Sequence, residues 1–147
     1  MTETKTVYDA RRFTKIGPDG QHLPADAKAW EAVLDPRTGL MWPEKSTKVK
    51  NYAAALKVPA KLKVAGFTDW RMPTVEELFL LADRTRMSPA IDTEFFPDTK
   101  NDWYWTSTLH ATAPAECAWV VHFYYGGLAS YNDRDYDGFV RAVRGGQ

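Results

Sequence analysis

Cysteine is nearly absent from the sequence, which has one such residue in 147. A single cysteine cannot form a disulfide within the chain, so the disulfide-rich scaffolds of small secreted proteins are excluded. Long apolar runs are absent too, and no stretch approaches the roughly 20 residues that a membrane-spanning helix needs. The first residues are polar and lack the apolar core of a signal peptide, so we expect a cytoplasmic protein with no membrane association.

Charge of one sign is not in excess, since 19 basic residues balance 19 acidic residues. A protein that binds nucleic acid usually presents a basic surface to the phosphates, so we expect no nucleic-acid partner. Six lysines lie between Lys45 and Lys63, with Tyr52 as their one aromatic neighbour and no arginine among them. This composition favours a solvated helix face over a binding patch.

Hydrophobic residues make up 44% of the chain and aromatic residues 14%, which is enough for a packed core. No repeat and no linker interrupts the sequence, so we expect one domain over residues 1–147 and allow for flexibility in residues 1–12. Composition therefore indicates a globular domain but no particular activity.

The first half of the chain is predicted to contain a hairpin and a helix. A turn sequence at 35–39 separates apolar residues at 33–34 from apolar residues at 40–42, which predicts the hairpin. The helix follows from apolar residues at helical spacing, with Ser46 or Thr47 as its N-cap. Those apolar residues are Val49, Tyr52, Ala53 and Leu56.

A second helix is predicted from a capping box, in which Thr74 and Glu77 satisfy each other's backbone N–H groups. Apolar residues recur at helical spacing after this cap, and Leu80 and Leu81 widen the apolar face. We therefore expect this helix to be largely buried.

In the C-terminal third, the apolar spacing changes to the period of two that is typical of strands. His122 and Tyr124 are predicted to point away from the core, and glycines at 126–127 allow a tight turn into a second strand over 128–131. Residues 139–143 form a last strand, which we place inside the sheet. Helices followed by antiparallel strands indicate an α+β fold. The predicted inward-facing residues are Cys117, Trp119, Val121 and Phe123.

Five segments carry a resemblance to a known family. They are Thr-Gly-Leu-Met-Trp at 38–42, Gly-Phe-Thr-Asp-Trp-Arg-Met-Pro-Thr at 66–74 with Glu-Glu-Leu at 76–78, Pro-Ala-Ile-Asp at 89–92, Trp-Thr-Ser-Thr at 105–108 and Phe-Val-Arg-Ala-Val-Arg-Gly at 139–145. In order and spacing, these segments resemble the Lcl C-terminal domain family, over residues 13–145. The Asp-Trp-Arg-Met-Pro-Thr segment is the most specific, and we interpret its Trp70 and Arg71 as structural.

The resemblance implies a C-type-lectin-like fold, with two helices and a twisted antiparallel sheet, that displays a ligand-binding surface from its C-terminal segment. The family is related to the formylglycine-generating-enzyme-like superfamily and to the variable proteins of diversity-generating retroelements. Members with assigned functions are mostly binders, and some resemble glycosaminoglycan-binding adhesin domains. Formylglycine-generating enzymes use a pair of cysteines, whereas this chain has only Cys117. We therefore expect that the protein has no oxidase activity and is not an enzyme.

A calcium site is the one metal site that the sequence indicates. Asp133, Asp135 and Asp137 precede Gly138 in a D-x-D-x-D-G pattern, which is the first half of a calcium loop. The glutamate that would complete an EF-hand is replaced by Arg144, so an EF-hand is excluded and a different calcium loop remains as a hypothesis. We expect no other cofactor.

The candidate ligand-binding residues surround this acidic loop. Tyrosine supplies a large, rigid contact area with a polar tip, and four tyrosines among asparagine, arginine and aspartate are typical of a recognition surface. The loop carries a net negative charge, which favours a neutral sugar or a basic protein patch over a sulfated polysaccharide. The predicted residues are His122, Tyr124, Tyr125, Tyr131, Asn132, Arg134 and Tyr136.

Three functions follow from these observations. The preferred hypothesis is a non-catalytic module that binds a glycan or a protein through its C-terminal loop and strands. The alternatives are an enzyme of the formylglycine-generating or metal-dependent type, and a structural or assembly component of a phage. A phage component would reach a phage particle or a host surface by a route that needs no signal peptide.

Overall fold

The computed structural model describes residues 13–124 and 128–146, which form two five-stranded sheets and two short helices. This is the predicted α+β architecture, and it is compatible with a C-type-lectin-like fold. The elements in chain order are β1 (Thr14–Ile16), β2 (His22–Leu23), β3 (Ala32–Asp35), β4 (Leu40–Pro43), β5 (Thr47–Val49), α1 (Tyr52–Lys57), a 3-10 turn (Pro59–Lys61), α2 (Val75–Leu81), β6 (Trp103–Leu109), β7 (Cys117–His122), β8 (Leu128–Asp133), β9 (Gly138–Val140) and β10 (Arg144–Gly145).

The strand order is β10-β4-β3-β1-β2 in the first sheet and β5-β9-β6-β7-β8 in the second. All pairings are antiparallel except the one between β6 and β9, which is parallel. The predicted hairpin is confirmed as β3 and β4, with Val33 opposite Trp42. The strand predicted over 139–143 is shorter than expected, because β9 ends at Val140, but it lies inside the second sheet as predicted. The chain then crosses to the edge of the first sheet, where β10 is the last strand.

The second sheet is covered on both faces. On one face, Val121 and Tyr104 pack with Leu78 of α2 in the largest apolar cluster. On the other face, Trp105 packs with Tyr52 of α1, and the two rings meet edge to face with 5.0 Å between their centroids. We call these the α2 face and the α1 face. Because alternate residues of a strand point to opposite faces, the strand residues divide between them.

A helix is present near residues 49–56 as predicted, but the prediction is wrong about where it starts and which face it buries. Val49 lies in β5, and the N-cap is Asn51, whose side chain accepts a hydrogen bond from the Ala54 N–H at 2.9 Å. Tyr52 and Ala55 are buried, whereas Leu56 is exposed. The lysines of this region are exposed as predicted, but Lys48 lies on a strand rather than on a helix.

The capping box at the start of α2 is confirmed, since the Thr74 and Glu77 side chains each accept a hydrogen bond from the other's backbone N–H. The expectation that this helix is largely buried is wrong for two of its five apolar residues. Leu78 and Leu81 are buried, whereas Phe79 and Leu80 are exposed. A helix on the outside of a sheet needs only one apolar stripe, so the wider stripe leaves apolar surface exposed.

Trp70 and Arg71 are structural, as predicted. The buried Trp70 indole donates a hydrogen bond to the Phe67 carbonyl at 2.9 Å. The Arg71 guanidinium forms a bidentate ion pair with the Glu77 carboxylate, at 2.9 and 2.8 Å, and donates to the Gly145 carbonyl at 2.9 Å. This arginine therefore joins the start of α2 to β10. The pair lowers the pKa of Glu77, chiefly through the hydrogen bonds from Arg71.

Arg141 is the largest buried charged residue, with 1% of its surface exposed. Its guanidinium donates to the carbonyls of Pro43 and Glu44 at 2.7 and 2.6 Å, and to the Thr99 hydroxyl at 2.9 Å. These three contacts hold the crossing from β9 to β10 against the end of β4.

Candidate functional site

The register of β7 and β8 separates the predicted ligand-binding residues. Trp119 lies opposite Tyr131, and Ala118 lies opposite Asn132. Tyr131 therefore shares the α2 face with Trp119, whereas Asn132 and His122 lie on the α1 face. The expectation that His122 and Tyr131 lie on one surface is wrong, because Tyr131 lies three residues from Leu128, the partner of His122, and an odd offset places the two side chains on opposite faces.

An aromatic cluster lies on the α2 face beyond the end of the apolar core. The ring centroids of Trp119 and Tyr131 are 5.8 Å apart, and the His110 ring lies 4.3 Å from Tyr131 and 6.4 Å from Trp119. Tyr131 is 53% exposed, and Trp119 is half-buried rather than a core residue as predicted. We call these three residues the aromatic cluster.

Hydrogen-bonding groups of the aromatic cluster are left available for a ligand. The Nδ1 atom of His110 accepts the backbone N–H groups of Thr112 and Ala113, at 3.3 and 3.2 Å. In the neutral ring the proton then lies on Nε2, which becomes a donor. The Trp119 indole N–H has no hydrogen-bond partner among the residues that the structure describes.

A groove of about 380 Å³ adjoins the cluster between α2 and the strands β6 to β8. Its volume is within the range of small-ligand sites, which runs from about 300 to 1,000 Å³. The exposed Glu76 and the Thr108 hydroxyl add polar groups to a largely apolar wall. The lining residues are Val75, Glu76, Phe79, Thr108, Trp119 and Ala129.

The α1 face carries the second group of predicted residues. The His122 ring lies 5.9 Å from the Trp103 ring and 6.4 Å from the Tyr124 ring. Burial lowers the pKa of His122, and the nearby Asp102 carboxylate opposes this effect. The ring is therefore held toward its neutral form on a face that α1 and the neighbouring strands partly cover.

Arg134 is engaged in contacts within the protein rather than left open for a ligand. Its guanidinium donates to the Pro114 carbonyl at 2.8 Å and lies 4.9 Å from the centre of the Tyr52 ring. Its backbone carbonyl accepts the Tyr52 N–H, and its own N–H donates to Glu116. This residue therefore ties the end of β8 to α1 and to the loop before β7.

The three aspartates proposed for calcium do not converge. Asp133 accepts the Asp135 backbone N–H at 2.9 Å, which closes a turn, while the Asp137 carboxylate lies 4.0 Å from the Lys48 ammonium. Among the described residues, no three His, Cys, Asp or Glu side chains are arranged to hold a metal ion. Tyr136 is exposed in the same loop, and its N–H donates to the Asp133 carbonyl.

Tyr125 and the glycines at 126–127 lie outside the described residues. Cys117 is half-buried at the start of β7 rather than enclosed in the core as predicted. None of the described helices is long and apolar enough to cross a membrane.

Sequence reasoning missed two members of the aromatic cluster. Trp119 and Val121 are alternate residues of β7 and point to the same face, so the sequence predicts that both are buried. Trp119 nevertheless lies where α2 no longer covers the strand. His110 has no local signal. Its place depends on the irregular pairing of β6 with β7, which shifts register between Trp105 and Leu109.

The fold and this surface define a small α+β domain with an aromatic groove on one sheet. A model of the Lcl C-terminal domain family matches residues 31–144, and the chain belongs to this family. The match includes both helices, the aromatic cluster and the Arg71–Glu77 pair. No curated protein matches the chain.

Proposed function

We propose that this protein is a non-catalytic module that binds a neutral glycan at the groove beside the aromatic cluster. The observation that carries the proposal is the exposure of Tyr131 and Trp119 next to a groove with polar groups. A sugar ring has an apolar C–H face and a polar edge of hydroxyls. An aromatic ring beside hydrogen-bonding groups complements both parts.

The polar groups of the groove suit hydroxyls rather than sulfates. Glu76 presents a carboxylate, which accepts hydrogen bonds from sugar hydroxyls and repels anions. The Trp119 indole and the Nε2 of His110 supply donors. Thr108 adds a hydroxyl, whose oxygen already accepts the Val75 N–H at 3.0 Å. Donors and acceptors are therefore both present in the groove and in the aromatic cluster beside it.

The non-catalytic part of the proposal is supported by the single cysteine, since the related oxidases need two.

A glycan array, followed by calorimetry with the best neutral oligosaccharide, tests the proposal. Trp119→Ala is expected to weaken binding by about 1–2 kcal/mol, because a buried aromatic contact to the sugar is lost. Tyr124→Ala is the matched control on the α1 face and is expected to leave the affinity unchanged. Each variant is checked for an unchanged melting transition.

Two outcomes would overturn the proposal. One is binding that survives Trp119→Ala and is lost in Tyr124→Ala, which would place the ligand on the α1 face. The other is the absence of any neutral glycan ligand together with a captured protein that competes at Trp119, which would identify a protein-binding module.

A further inference from the structure

We infer that a second cavity, separate from the aromatic groove, binds a small zwitterion with an apolar body, such as a free hydrophobic amino acid. The cavity has a volume of about 360 Å³ and lies where β4, β5 and the crossing from β9 to β10 meet the chain after α1. Its floor is apolar and its wall carries both charge signs. The floor residues are Val58, Leu62, Val64, Val140 and Ala142.

Two carboxylates line one side of this cavity. Glu31 and Glu44 lie opposite each other immediately beyond the Ala32–Pro43 pair, joined by a hydrogen bond from the Glu44 N–H to the Glu31 carbonyl at 2.9 Å. Like charges directly opposite in paired strands are destabilising. Lys45 and the buried Arg141 guanidinium offset part of this repulsion at Glu44.

Glu44 is the inner member of the pair, with 11% of its side chain exposed. Its carboxylate accepts no hydrogen bond from the described residues, and its one close ion pair is with Lys45 at 3.5 Å. Lys45 is itself 83% exposed, so its ammonium group can move aside when a ligand binds. The backbone of Glu44 is fixed by Arg141, which donates to its carbonyl. A mostly buried side chain on a fixed backbone, whose carboxylate has Lys45 as its one close cation, is suited to a ligand ammonium group.

Positive charge lies on another part of the same wall. Lys63 lines the cavity and forms no ion pair with any described residue. It can therefore pair with a ligand carboxylate without breaking an internal contact. Glu31, by contrast, has one oxygen engaged with the Ala65 N–H at 2.7 Å.

The combination identifies the ligand class. An amine alone would leave Lys63 without a counter-ion, and an acid alone would bring a third carboxylate to Glu31 and Glu44. A zwitterion satisfies both, and the apolar floor accepts its side chain. Trp30 closes one end of the cavity, with its indole N–H fixed by the Phe95 carbonyl at 3.0 Å.

Calorimetry and thermal shift with three matched compounds test this inference on the full chain. Phenylalanine carries both charges, 2-phenylethylamine lacks the carboxylate, and 3-phenylpropionate lacks the ammonium group. Phenylalanine or leucine is expected to raise the melting temperature. The two analogues are expected to bind about 10-fold or more weakly, because each loses one charge-assisted contact.

Variants assign the two charges separately. Glu44→Gln and Lys63→Met are each expected to weaken binding of the amino acid about 10-fold or more, with Lys61→Met, an exposed lysine outside the cavity, as the unchanged control. Equal binding of all three compounds, binding of the amine alone, or no binding at millimolar concentration would each overturn the inference. The result is independent of glycan binding, since none of these residues lines the groove beside the aromatic cluster.

Discussion

Two tryptophans show how differently the two regions of this domain use their polar atoms. Trp70 is 5% exposed, its N–H donates to the Phe67 carbonyl, and the terminal nitrogens of the adjacent Arg71 donate to α2 and β10. Trp119 is half-buried, and its N–H has no partner among the described residues. The most family-specific segment is therefore scaffold, while the site that we propose for a glycan lies on strands that carry no strong motif.

Comparison variants apart, the largest expected effect tests the scaffold at Arg141. Arg141→Met removes the donors to Pro43, Glu44 and Thr99, so the free energy of unfolding is expected to fall by about 3 kcal/mol. Urea denaturation followed by tryptophan fluorescence measures the change. Arg37→Met, at an exposed site, is the control and is expected to stay within about 0.5 kcal/mol of wild type. Equal losses in both variants would contradict the scaffold role.

Gly138→Ala tests the close packing of β9. A Cβ atom there would lie 2.8 Å from the Trp105 Nε1 and 2.9 Å from the Trp103 Cδ1. Both rings belong to the packed sheet, so we expect a loss of about 1–3 kcal/mol in unfolding free energy. Gly17→Ala meets only the exposed Gln21 side chain, which can move, and is expected to cost less. If the two variants lose equal stability, β9 is not held as tightly as the structure indicates.

Glu77→Gln tests the ion pair to Arg71 through pH. The pKa of Glu77 is lowered in the folded state, so the stabilisation is complete above its ordinary value of 4.5. It is lost as the pH falls through the lowered value. At neutral pH the variant is expected to be about 1–2 kcal/mol less stable than wild type, and this difference is expected to shrink below about pH 4.

Glu76→Gln is the matched control for this pH profile, because the neighbouring Glu76 is exposed and has no ion pair among the described residues. Its acid denaturation profile is expected to follow that of the wild type. A constant difference between Glu77→Gln and wild type from pH 7 to pH 3 would show that the ion pair is not the cause.

The smallest expected effect lies on the aromatic cluster. Tyr131→Ala is expected to change the unfolding free energy by no more than about 0.5 kcal/mol, because the side chain is 53% exposed. Tyr52→Ala is the buried comparison: its hydroxyl donates to the Thr106 carbonyl at 2.8 Å, and a loss of about 3–5 kcal/mol is expected. Similar losses in the two variants would remove the distinction between scaffold and binding face.

The sequence predicted those parts of the fold that depend on neighbouring residues. The turn between β3 and β4 and the capping box of α2 are local, and both are confirmed. The helix prediction began too early because Val49, which lies in β5, has the same helical spacing as the apolar residues of α1. The aromatic cluster could not be found, since His110 reaches Trp119 only through pairing of β6 with β7.

The crossing from β9 to β10 also has a kinetic consequence. Thr47 pairs with Val140 and Met41 pairs with Arg144, so each contact closes a loop of roughly a hundred residues. Hairpins such as β3–β4 close in about 1–10 μs, whereas contacts so distant in sequence form late and slow the folding of a domain. We expect β3–β4 and β7–β8 to gain protection from hydrogen exchange early in refolding. We expect the segment 138–145 to pair with its partner strands last, and this pairing connects the two sheets in a single step.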